Sequence, residues 1–150
     1  MNPPSRQLHL FLFLFLFLSI PLSAQCGRVA HRSSDQQEIA QSFVEVIQLW
    51  HDGRLDELYE RTWGESSQGR DEFAKRLDKA TCRPACCWQM VNNVTVASHT
   101  NRNATVQATL GLDRVGTVSY RTGEFHLRQG GGRWRLSRTE LLRLAESHRH

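Results

Sequence analysis

The spacing of apolar residues changes character once along this chain, at Pro84, and no other feature constrains the fold as much. Ahead of Pro84 the period is helical. In "SSDQQEIAQSFVEVIQLWHDG", Ile39, Phe43, Val46, Ile47 and Trp50 recur at steps of three and four, which lines one helix face with apolar side chains. Ser34 and Gln37 form a capping box at its start, and Gly53 suits the left-handed turn that ends it. "RLDELYERTW" predicts a second, short helix with Leu55, Leu58 and Tyr59 on one side. A third follows in "GRDEFAKRLDKATC", with Asp71 and Glu72 where the helix dipole favours negative charge and Phe73, Leu77 and Ala80 on its buried stripe. Pro84 disfavours helical backbone at Arg83, so this helix should end near Cys82.

Beyond Pro84 the period is two. Trp88, Met90, Val94 and Val96 share one parity, as half-buried strand residues do, and Ala104, Val106, Ala108 and Leu110 repeat the pattern. In the next strand Val118 and Tyr120 give way to Phe125 and Leu127, a parity switch that predicts a bulge or bend around Thr122 and Gly123. "GGGR" at 130–133 reads as a turn, and Trp134 and Leu136 face inward from a closing strand. Leu141, Leu142 and Leu144 predict a last helical turn before a polar tail, residues 145–150. Three helices followed by four strands make an α+β order.

The N-terminus sets the expected compartment. Arg6 precedes an unbroken apolar run from Leu10 to Ile20, about half of the roughly 20 residues a membrane-spanning helix needs. Pro21 breaks the run, and Leu22-Ser23-Ala24 supplies the small residue that a signal peptidase requires. Residues 1–24 therefore read as a signal peptide and 25–34 as a short arm. Export to a periplasm or the extracellular space is the expectation. A membrane anchor would arise only if Cys26 were lipidated, which Gln25 in the preceding position disfavours. What remains is long enough for one domain with a core, and too short for two.

The formal charge of +4 comes from 19 basic and 15 acidic residues that are interspersed, as at Arg54, Asp56 and Glu57. The densest basic stretch, "RWRLSR" at 133–138, alternates like the solvent side of a strand. No stripe of basic residues with interleaved aromatics appears, so no nucleic-acid partner is expected.

Three of the four cysteines lie in "TCRPACCWQM". Structural zinc sites use two separated pairs, and redox motifs use C-x-x-C; neither spacing occurs, so no metal or cofactor is expected. Four cysteines in an exported domain point to two disulfides among Cys26, Cys82, Cys86 and Cys87. Of the three connectivities, the one joining Cys86 to Cys87 strains an eight-membered ring and is the least favoured; the other two pair Cys26 with one of these cysteines and Cys82 with the other. Strand parity favours Cys82–Cys86 with Cys26–Cys87.

Two stretches, "FVEVIQLWHDGRLDELYERTW" and "GEFHLRQGGGRWRLSRTEL", carry a resemblance to the nuclear transport factor 2-like superfamily, which includes ketosteroid isomerase. The first is similar to that family's long helix, glycine break and short helix; the second is similar to its last hairpin. "GRDEFAKRLDKA" is similar to its third helix. The resemblance covers most of residues 35–144. It implies N-terminal helices on the concave face of a curved, mostly antiparallel four-stranded sheet, with a pocket in the cone.

Isomerase members of that family place a carboxylate or histidine inside the cone, where burial tunes it for proton transfer. Here the inward parity from Trp88 to Leu112 holds no carboxylate, and Glu124 falls at the parity switch. No serine sits in a nucleophile elbow. His51, His99 and His126 read as helix-end or strand-edge histidines. The expectation is thus a non-catalytic domain that binds a small apolar ligand or a protein partner, through a pocket rimmed by Trp50, Tyr59, Trp63 and Tyr120 or through the sheet face. Pairing of two copies through the sheet is a further expectation, and an isomerase-like enzyme with an atypical site is the alternative.

Overall fold

The computed structural model describes residues 26–64 and 69–146, with side chains from Ser34 onward. Met1–Ser33 and Ser34–His150 are separate compact units. The described part of the first is helical backbone alone, and the sheet and the core belong to the second. The expected signal peptide, residues 1–24, and any disulfide to Cys26 lie outside the described residues and side chains.

Helix α1 spans Cys26–His51, α2 Leu55–Glu60, α3 Arg70–Asp78 and α4 Arg138–Glu146. The strands are β1 (Thr62–Trp63), β2 (Arg83–Pro84), β3 (Val91–His99), β4 (Asn103–Arg114), β5 (Thr117–Gly130) and β6 (Arg133–Ser137). They form one sheet in the order β1-β6-β5-β4-β2, with β3 also paired to β4. The α+β class and the curved, helix-packed sheet hold, but the sheet has six strands and is mixed, because β1 runs parallel to β6.

The helical period of α1 buries Ile39, Phe43, Val46, Ile47 and Trp50. Period two on β4 buries Ala104, Val106, Ala108, Leu110 and Leu112, and on β5 Phe125 and Leu127. The two faces meet ring to ring: Phe43 and Phe125 lie with centroids 5.0 Å apart. Leu58, Phe73, Leu77, Leu136, Leu141 and Ala145 complete one core. Asp71 and Glu72 occupy the first turn of α3, as their charge favours.

Several expectations change. The backbone is already helical at Cys26, so residues 26–33 are not an irregular arm, and Ser34 lies within α1 rather than capping it. The stretch "CGRVAHRS" holds no proline to stop a helix from extending backward. The last helix runs to Glu146 and buries Ala145, beyond the single turn expected. The β4–β5 register is unbroken from Asn103↔Arg128 to Arg114↔Thr117, so there is no bulge at Thr122 and Gly123. Val118 and Tyr120 instead point away from the helices, on the face opposite Phe125 and Leu127. The register shifts lie in β3, between Asn92 and Thr95 and between Val96 and Ser98, with Asn93 at φ +52°. Such bulges bend and twist a strand, and so curve the sheet.

The cysteine segment also departs from a simple strand. Between β2 and β3 the chain leaves the ladder at Ala85, whose N–H donates to Gly111 O at 2.8 Å. It returns at Met90, whose carbonyl accepts from Gly111 N–H at 3.1 Å. In between, the loop crosses the outer face where Gly111 offers no side chain; a Cβ there would sit 2.1 Å from the Gln89 carbonyl oxygen. Trp88, expected to face inward, lies on a 3-10 turn and is 76% exposed. Cys86 and Cys87 are joined to each other, not Cys86 to Cys82. Opposite strand faces do not hold them apart, because neither residue is in a strand, and Cys87 has φ +61°. Cys82 is a buried thiol without a sulfur partner among the described residues.

Candidate functional site

The inside of the sheet is filled by apolar side chains. Among the described residues, the buried polar side chains are those of Thr62, Ser137 and Arg138. Arg138 Nε donates to Thr62 Oγ1 at 3.2 Å, and that hydroxyl donates to Tyr59 O at 2.8 Å. The guanidinium lies 4.0 Å above the Tyr59 ring and 5.8 Å from that of Phe73. These contacts spread the buried charge over a hydroxyl and two aromatic faces. Among the described residues, no carboxylate or histidine is buried inside to act as an acid or base.

The four aromatics expected to rim a common pocket are not brought together. Trp50 is 2% exposed and belongs to the core, as its place on the α1 apolar stripe dictates. Tyr59 packs edge-on against Phe73, centroids 5.6 Å apart, and covers Arg138. Tyr120 is 53% exposed on the outer face. Trp63 does line a cavity, and it does so from β1 instead of a helix.

That cavity, of about 330 Å³, opens on the outer face of the sheet. Cross-strand register assembles it: Ser98 on β3 stands opposite Thr105 on β4, and Thr105 opposite His126 on β5. Arg128, two residues on from His126, shares its face and holds its guanidinium 4.0 Å from the Trp63 ring centroid. The Trp63 indole nitrogen is buried with no hydrogen-bond partner among the described residues.

Glu140 supports the site from behind. Strand β6 ends at Ser137, leaving the His126 N–H without a strand partner, and Glu140 Oε2 accepts it at 2.8 Å. Glu140 Oε1 meets His126 Nδ1 at 2.5 Å. A carboxylate on one ring nitrogen orients an imidazole and leaves the other free. Thr105, the hydroxyl next to it in register, makes no hydrogen bond to that ring. Farther along, Thr109 and Thr122, also opposite in register, do bond, at 2.8 Å. A nucleophile paired with its base is therefore missing from the row.

A larger groove, about 690 Å³, runs along α1 and α2 over Val44 and Leu49. Its charges largely neutralise one another: Arg61 pairs with Glu45 at 3.0 Å and Arg54 with Glu57 at 2.5 Å. Near the end of α1, the Asp52 carboxyl is held below the usual carboxylate range, first by its hydrogen bond with His51 and then by that from Gln48. Among the described residues, no group of three or more His, Cys, Asp or Glu side chains could hold a metal ion, and no helix is long and apolar enough to cross a membrane.

The helix period and strand parity located the core, but not this cavity. Its signal was the alternation in "FHLR", which sets His126 and Arg128 outward. Which residues they would meet depended on register and on the end of β6.

No model of a known protein family matches this sequence, and no curated protein matches it. Among solved structures the chain is similar to an NTF2-like protein with a cystatin-like fold from Novosphingobium aromaticivorans. The TM-score is 0.53 at 19% identity, over 76% of this chain and 86% of the other.

Proposed function

We propose that this chain, with the nuclear transport factor 2-like fold and an apolar inner face, is an exported, non-catalytic binding domain that engages its ligand or partner from outside the cone. The observation that carries the reading is the apolar inner face. Phe43, Phe125, Leu127 and Leu136 are buried there, and among the described residues no carboxylate or histidine is buried with them to serve as the acid or base of an isomerase. The inner face packs apolar groups against the helices, whereas the outer face offers a cavity of about 330 Å³ with hydroxyl, imidazole and guanidinium groups on its lining. Export is supported by the reading of residues 1–24, and a Cys86–Cys87 disulfide suits an oxidising compartment.

The test is an amide NMR fragment screen of the secreted protein. Shifts gathered at residues 98–105 and 126–128, or along the α1–α2 groove, are the expected outcome. Shifts at Phe43, Phe125 and Leu127, or turnover of a β,γ-unsaturated ketosteroid, would overturn the reading. N-terminal sequencing should begin at Gln25. A lipid-modified Cys26 would instead make the protein membrane-anchored.

A further inference from the structure

Arg128 on β5 and Arg135 on β6 are direct cross-strand partners. Their parity sets both on the outer face, with Arg133 two residues before Arg135 on the same side. Like charges directly opposite each other destabilise a sheet unless something neutralises them. Among the described residues none of the three makes an ion pair. The Arg135 guanidinium leans over Gly130 and Gly131, while that of Arg128 reaches the cavity beside Trp63. An unpaired guanidinium at the rim of a cavity is a place for an anionic acceptor.

The lining of that cavity has the matching chemistry. Ser98, Asn103, Thr105, Trp63, His126 and Arg128 all carry hydrogen-bond donors, and no carboxylate lines it. The nearest acid, Glu140, is engaged with the N–H and ring of His126. The α1–α2 groove differs in carrying acids, Glu45, Glu57 and Glu60, among its basic residues.

We propose that the cavity binds a small organic oxyanion, a carboxylated or sulfated polar molecule of about monosaccharide size. Its acid group lies against Arg128, on the side of the cross-strand partner Arg135, and its body lies against the Trp63 ring and the hydroxyls of Ser98 and Thr105. A planar guanidinium suits this task, because it donates two parallel hydrogen bonds to a carboxylate or sulfate. The assignment rests on the reading of this face as the binding surface, and adds the ligand class to it.

The experiment follows the Trp63 indole N–H cross-peak, assigned by its loss in Trp63→Phe, while the protein is titrated with D-glucuronate, D-glucose 6-sulfate, inorganic sulfate and D-glucose. One or both sugar acids should shift it saturably, which also tells carboxylate from sulfate. Glucose should not shift it, and inorganic sulfate should bind more weakly than the sugar acids. Arg128→Gln should weaken binding by roughly tenfold, the loss of a charge-assisted hydrogen bond, and Arg135→Gln by less, through the lost charge alone, with the rest of the amide spectrum unchanged. Raising salt should weaken it further. Glucose shifting the peak as well as the acids do, or acid binding unchanged in both variants, would overturn the oxyanion assignment and leave the binding face standing. If the acids shift nothing, and fragments perturb only residues far from the cavity, both readings fall together.

Discussion

The two faces of strand β4 are one residue apart in sequence and opposite in kind. Ala104, Val106, Ala108, Leu110 and Leu112 point toward the helices and are buried. Asn103, Thr105, Gln107 and Asp113 point away, to solvent or to the cavity. The inner face is closed chemically: apolar groups meet apolar groups, and Arg138, the buried cation among the described residues, has Thr62 and Tyr59. The outer face is open, with arginines opposite one another and donors without acceptors. One side is given over to stability, which leaves the other free for recognition.

The sharpest way to break this contrast is to hollow the inner face. Phe43→Ala should cost about 3–5 kcal/mol in denaturant unfolding, through lost burial and the cavity left against Phe125. A loss under about 1 kcal/mol would mean that the cone has slack and could admit a ligand. The outer face has one tightly packed point, Gly111. Gly111→Ala should cost about 1–3 kcal/mol, because its methyl group meets backbone at Gln89. Glu140→Ala should cost about 1 kcal/mol by uncapping the His126 N–H where β6 ends, with hydrogen exchange at His126 accelerated. At the open end of that face, Arg128→Gln and Thr105→Val should change stability by no more than about 0.5 kcal/mol, while Arg128→Gln alters binding. Equal stability losses on both faces would erase the distinction.

The smallest effect concerns Asp52. Its folded carboxyl value lies below the ordinary one, so whatever it contributes is present above the ordinary carboxylate range and is lost as pH falls through the lower folded value. Carbon-13 NMR titration should place its midpoint below the ordinary aspartate value, and His51→Ala should move it upward, more than Gln48→Ala does. An unmoved midpoint would show that these hydrogen bonds do not persist in solution.

Much of the fold was legible in the order of residues. The α1 stripe, the charged first turn of α3, the alternation on β4 and the glycine turn before Arg133 all arise from interactions within a few residues. Trp50 shows a reading that the same rule could have corrected: a residue in step with Ile39, Phe43 and Val46 belongs to the core, not to a pocket rim. Trp63 shows the opposite case. It continues a helical segment in sequence but leaves α2 because Thr62 and Trp63 find β6 as a parallel neighbour. Tyr120 was placed inward on a bulge that the unbroken β4–β5 ladder does not have.

By itself, then, the sequence determined the class of fold, which residues make the core and which alternate outward, because helix and strand periods are local geometry. Only the tertiary structure decided that Cys86 pairs with Cys87 in a loop over Gly111, and that Trp63, Thr105, His126 and Arg128 share one cavity. Those outcomes depend on strand register and on where β6 stops, and both are set by packing between segments far apart in the chain.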